Sequence, residues 1–173
     1  MNKMLRSILI FPQFANNLEI DLIRKRIDPL YKNIRPHISL VFPFDSPISD
    51  DRLITLTQES LKKVDCFKIE LNHLDGDFRG GYIWLEVGQG RKEIEIIHDS
   101  LYRNSELSIF LRKDIPYVPH LTVGQQLRAL QAEGLARQLN KKSFLFESEI
   151  KSISIEYILP NNDSEEFYQA FLR

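Results

Sequence analysis

Residues 36–40 read Pro36-His37-Ile38-Ser39-Leu40, and residues 119–123 read Pro119-His120-Leu121-Thr122-Val123. Both follow one pattern: proline, histidine, aliphatic, hydroxyl, aliphatic. Ordinary residue frequencies put one such pentamer in a chain of this length at about one in a thousand. Two of them, 83 residues apart in a chain of 173, indicate a repeat, with each copy on a central strand of its own half.

The sequence around the pentamers supports that reading. Ser7 to Phe11 is a short apolar run that reads as a buried strand. A helix follows, with Asn16 and Glu19 resembling a capping box and Ile20, Ile23, Ile27 and Leu30 on one face. His37 to Phe42 predicts a strand with His37, Ser39 and Val41 on one side. Ser49, followed by Asp50 and Asp51, predicts a helix N-terminus, and Phe67, Ile69 and Leu71 predict the next strand. After the turn at Gly80-Gly81, the order returns: a strand with Ile83, Leu85 and Val87, a helix with Ile94, Ile97 and Leu101, and a strand from His120 to Gly124. A helix over about Leu127 to Leu139 and strands at Phe144 to Phe146 and Ile153 to Leu159 complete it, with Phe167 to Leu172 as a last strand or helical turn. Strand, helix, strand, helix, strand thus occurs twice. We expect a single domain, 1–173, of two pseudo-symmetric lobes, about 1–78 and 79–173.

Composition narrows the function. The chain is 43% hydrophobic and 27% charged, ordinary for a globular domain. Its 23 basic and 24 acidic residues leave a net charge of -1, which supplies no global field to grip a long nucleic acid. Cys66, the lone cysteine, has no disulfide partner within the chain, which favours a reducing, cytoplasmic setting. No apolar stretch approaches the length needed to cross a bilayer, and the run at Ile8 to Phe11 is too short for a signal segment.

In a strand, residues i and i+2 share a face, so each histidine lies about 7 Å from the hydroxyl of its own motif. Two such strands at one cleft offer two imidazoles and two hydroxyls to a small ligand. An imidazole titrates near neutrality, so a pair can hold one base and one acid at the same pH. Ser39 and Thr122 can donate to phosphoryl oxygens. Neither motif contains a carboxylate and Asp45 lies beyond the first, so no metal site is expected.

The two H-x-[S/T] motifs resemble the signature of the 2H phosphoesterase superfamily, which includes 2'-5' RNA ligase-like proteins and 2',3'-cyclic nucleotide phosphodiesterases. The resemblance spans nearly the whole chain. It implies an α+β duplicated bilobal fold, two antiparallel sheets forming a V-shaped cleft with helices outside. It also implies a metal-independent, cofactor-free phosphoesterase of RNA processing. Such an enzyme hydrolyses a 2',3'-cyclic phosphate, or a related 2'-5' linkage, of a nucleotide or RNA terminus. His37 and His120 would be the catalytic pair, in unassigned order, and Ser39 and Thr122 the substrate contacts. The alternative is a catalytically silent module of the same fold that binds nucleotides or RNA ends.

Other residues have plainer readings. His98, within a helix beside Asp99, reads as solvated or capping, and His73 ends a strand near Asp75. Arg35, Arg79 and Lys113 are loop cations that could meet a phosphate but ordinarily face water. Phe42 and Phe78 read as packing, whereas Phe44 and Tyr117 flank the motifs and are candidates to stack a base.

Overall fold

The computed structural model describes residues 5–173. Its elements run β1 (Leu5–Ile10), α1 (Asn17–Ile27), β2 (Ile38–Phe44), α2 (Asp50–Leu61), β3 (Phe67–Asp75), β4 (Ile83–Val87), α3 (Arg91–Tyr102), α4 (Ser105–Ser108), β5 (His120–Gly124), α5 (Ala129–Leu139), β6 (Phe146–Ile150), β7 (Ser152–Ile158) and β8 (Ser164–Phe171). The repeated order is the one the sequence predicts. The short α4 is additional, the tail is a strand, and β6 begins where the expected strand was to end.

Two four-stranded antiparallel sheets result, the first ordered β2-β1-β7-β8 and the second β5-β4-β3-β6. The orders correspond position by position, with β2 matching β5 and β1 matching β4. Both motif strands are therefore edge strands, where central ones were expected. Nor do the sheets divide the chain at residue 78. β3 comes from the first half but joins the second sheet, and β7 and β8 close the first. The hairpin between β3 and β4 explains the exchange. Gly81 adopts φ +81°, and a side chain on Gly76 would fall 2.1 Å from the Tyr82 carbonyl oxygen, so the turn is tight and keeps β3 beside β4.

The helices are exchanged as well. α1 leaves the first sheet and packs on β5, joined by α5 on β3 and β4, while α3 leaves the second sheet and packs on β2, with α2 against α3 and β8. Each helix has an apolar stripe for this purpose. Ile94, Ile97 and Leu101 of α3 are fully buried, worth about 1.5–3 kcal/mol each. Ser49 caps α2, accepting from the Arg52 amide at 3.3 Å. Asn16 makes no such bond at α1. Its side chain instead donates to Glu19 and to the Leu145 carbonyl, tying the helix start to the strand region of the other sheet.

A bulge refines the first motif strand. Leu9 opposes Ser39 but Ile8 opposes Val41, so Leu40 is the extra residue. Val41, expected on the histidine face, is turned into the core opposite Ile8 and fully buried. Among the described residues no helix is long and apolar enough to cross a membrane.

Candidate active site

The two sheets meet where β2 and β5 lie side by side. Tyr117 pins this seam, its hydroxyl donating to the Ser39 carbonyl oxygen at 2.8 Å. The Tyr117 ring is stacked on His98, with centroids 3.8 Å apart and planes 10° from parallel. His98 is 6% exposed and bonds Asp99 through Nδ1, so it is a packing residue rather than a solvated one. Tyr117 is occupied in the same way. Phe44 is buried against Phe110, which removes it as a base-stacking candidate, while Phe42 and Phe78 are partly buried.

The two motifs share one burial pattern. Pro36 and Pro119 are buried, both histidines half-buried, Ile38 and Leu121 buried, Ser39 and Thr122 half-buried, and Leu40 and Val123 buried. The aliphatic residues root each strand in the core and turn histidine and hydroxyl to the opposite, cleft face. His37 Nδ1 donates to the Arg35 carbonyl oxygen at 3.0 Å, and His120 Nδ1 donates to the Val118 carbonyl oxygen at 2.6 Å. Each bond reaches back across the motif proline, whose fixed φ holds that carbonyl in place. A carbonyl only accepts, so Nδ1 carries the proton and the neutral ring keeps its lone pair on Nε2. Both rings thus hold the same tautomer.

Their surroundings differ. Burial pushes the His37 imidazole down from 6.5 to about 4, helped by the Arg24 guanidinium and by His120, while the Arg35 carbonyl and Asp28 act in the opposite sense. Burial also lowers His120, opposed by its carbonyl bond and by Glu86. Glu86 stands opposite His120 in the β4–β5 ladder, and Trp84, opposite Thr122, lays its ring 4.4 Å from the His120 imidazole. On the other side, Phe11 meets His37 edge to face at 6.4 Å. Arg35 lies over Phe11 at 3.9 Å and pairs with Glu166 at 2.6 Å. Behind His37, the buried Arg24 pairs with Asp28 at 2.8 Å. Asp28 also accepts from the Leu30 amide and from Gln125, three residues beyond Thr122.

Sequence reading passed over Phe11, Trp84, Glu86 and Arg24. The alternation of Trp84 and Glu86 with buried Ile83, Leu85 and Val87 was the available signal, since it marks a second polar face beside β5. His73 is exposed and opposes Glu86 from β3, one strand further from His120. Arg79 and Lys113 are exposed, as is Cys66. Among the described residues no three His, Cys, Asp or Glu side chains are grouped to hold a metal.

Comparison with known proteins agrees with this architecture. The sequence profile of the 2'-5' RNA ligase superfamily matches residues 11–159. A Bacillus cytotoxicus protein named "Putative phosphoesterase" is 26% identical over 89% of this chain and 88% of its own. One of the same kind from Oceanobacillus iheyensis is 26% identical over 95% of both. The fold resembles E. coli LigT crystallised with 3'-AMP, with a TM-score of 0.63 at 12% identity over 99% of each chain. It also resembles Kluyveromyces marxianus Usb1, with a TM-score of 0.55 at 11% identity over 98% and 99%. Matched over most of its length and built on the duplicated two-sheet fold, the chain belongs to the 2'-5' RNA ligase superfamily, the 2H phosphoesterases.

Proposed function

We propose that this protein hydrolyses a 2',3'-cyclic phosphate at an RNA end or nucleotide by two-histidine acid/base catalysis. The observation that carries the proposal is the matched pair of imidazoles, each fixed through Nδ1 and each, among the described residues, with no hydrogen bond at Nε2. The two environments suggest the roles. His37, held lower and backed by Arg24, is the base, and His120, beside Glu86, is the acid. His37 Nε2 takes a proton from water as its oxygen forms a bond to phosphorus. The bond from phosphorus to one ribose oxygen breaks, and His120 Nε2–H protonates that oxygen, leaving a phosphomonoester. Ser39 and Thr122 donate to the non-bridging oxygens. E. coli LigT, crystallised with 3'-AMP and with phosphate, offers the same class of ligand to a cleft of this fold. The exposed Cys66 thiol fits a reducing, cytoplasmic setting.

The test is product formation from 2',3'-cyclic nucleotides in excess chelator, with His37→Ala and His120→Ala beside the unmodified chain. The expected result is turnover that survives the chelator and is lost in both variants. Ser39→Ala and Thr122→Ala should each cost about 10² to 10³ in kcat. Nucleotide binding without product would select a silent binding module. Activity abolished by chelation and restored by a divalent ion would replace the mechanism with a metal-dependent one.

A further inference from the structure

The first sheet continues the site outward from His37. Ile10 opposes Ile38, so Phe11 falls next to His37. Leu9 opposes Ser154, which places Ser152 beside Phe11, and Ser152 opposes Phe171. His37, Phe11, Ser152 and Phe171 therefore form one row across four strands on the cleft face. The next row carries Ser39, Leu9, Ser154 and Gln169. A groove of about 390 Å³ lies along these rows, lined by Phe11, Ser152, Ser154, Gln169 and Phe171, with Arg35 and the Lys151–Glu149 ion pair at its sides.

Its chemistry suits a nucleic-acid strand. Phe171 is 74% exposed at the outer end, an aromatic surface without a packing role. Ser152 and Gln169 offer donors and acceptors between the two rings. The carboxylates at the groove are engaged: Glu156 takes bonds from Ser7 and Ser164, Glu166 from Ser154, Arg35 and Gln169, and Glu149, on the neighbouring strand β6, pairs with Lys151 at 3.0 Å. The second sheet presents the reverse on its cleft face. There Lys68 opposes Glu149 but Glu70 directly opposes Glu147, and Glu86 and Asp75 lie nearer the histidines, a face with an excess of carboxylates that disfavours phosphates.

We infer that the substrate is an oligonucleotide end rather than a mononucleotide, its chain running from the histidines over the first sheet to Phe171. The inference rests on the phosphoesterase reading above and names the substrate class of that site. Three strand spacings of about 4.8 Å put Phe171 roughly 14 Å from His37, beyond the nucleoside that carries the reacting phosphate. The first nucleoside meets Phe11 and the second stacks on Phe171.

The test compares a ribodinucleotide ending in a 2',3'-cyclic phosphate with the corresponding cyclic mononucleotide. The readout is the ratio of their kcat/KM values. The unmodified chain should favour the dinucleotide at least about fivefold, the smaller end of a base-stacking contribution. Phe171→Ala and Gln169→Ala should bring the ratio toward one, and Glu147→Gln on the opposite face should leave it unchanged. Phe171 is exposed, so its replacement leaves the fold intact. A ratio near one in the unmodified chain, or one unmoved by Phe171→Ala, overturns the groove while leaving the hydrolase reading standing. If neither compound is turned over, titration of both for affinity decides. A dinucleotide preference lost in Phe171→Ala supports the groove and sinks the hydrolase reading, and no preference overturns the groove.

Discussion

Glu86 stands directly opposite His120 across the β4–β5 ladder, so one of the two imidazoles has a carboxylate neighbour on its own sheet. On His37 burial is the dominant effect, with the Arg24 guanidinium lowering and the Asp28 carboxylate raising its pKa, which falls to about 4. The base must be neutral and the acid protonated, so in the free enzyme kcat/KM rises above pH about 4 and falls below the ordinary histidine value of 6.5. Glu86→Gln removes the charge that holds His120 up and should move the high-pH limb to lower pH, leaving the low-pH limb in place. The measurement is kcat/KM from pH 4 to 8 for both proteins. A shift of the low-pH limb alone would show that Glu86 acts on the other group.

A bell-shaped profile alone is the same whichever histidine is the acid, so the roles need a different probe. An aryl phosphodiester such as a p-nitrophenyl ester expels a leaving group that needs no proton. On that substrate His120→Ala should lose far less kcat than on a cyclic nucleotide, and His37→Ala should lose as much on both. The reverse pattern would exchange the two roles.

Much of this was legible from sequence because strand periodicity is local. The two pentamers fix which side chains share a face, and the burial of both motifs repeats residue for residue. The lobe boundaries were not legible, because pairing partners are set by long-range contacts. Nothing in residues 67–75 says that β3 pairs with β4 and β6 rather than with β1. The same holds for the site's surroundings. Glu86 reaches His120 through a ladder register, and Arg24 reaches the neighbourhood of His37 through a helix that packs on the other sheet. The bulge at Leu40, which inverts Val41, has no glycine or proline beside it to announce it.

Asp28 is a structural keystone of the site. Its side chain is 2% exposed and that of Arg24 is 1%, so the pair is held out of water. Asp28 joins the end of α1 to Gln125 beyond β5, and Arg24 also donates to the Ile34 carbonyl just ahead of the first motif. One guanidinium nitrogen, Nη1, already has no hydrogen-bond partner among the described residues. Asp28→Ala leaves the buried charge uncompensated and should cost about 3–5 kcal/mol. Gln125→Ala removes one hydrogen bond and should cost about 1–2 kcal/mol. Denaturant unfolding of both variants checks the ranking, and equal losses would mean that the ion pair is not what holds this corner.

The low pKa of His37 also makes a claim about stability. The folded imidazole binds its proton only near pH 4, while in the unfolded chain it does so near 6.5. Between those values the unfolded state carries more protons, so stability rises with pH there. The contribution is fully present above pH 6.5 and is lost as the pH falls toward 4. Its size is on the order of 3–4 kcal/mol, since each unit of separation is worth about 1.4 kcal/mol. Replacing His37 with asparagine removes the titrating group, and the variant should lose correspondingly less stability than the unmodified chain from pH 7 to pH 4. Denaturant midpoints at half-unit pH intervals measure the difference. Parallel curves for the two proteins would show that His37 titrates alike in the folded and unfolded chain, and would remove burial as the reason it serves as the base.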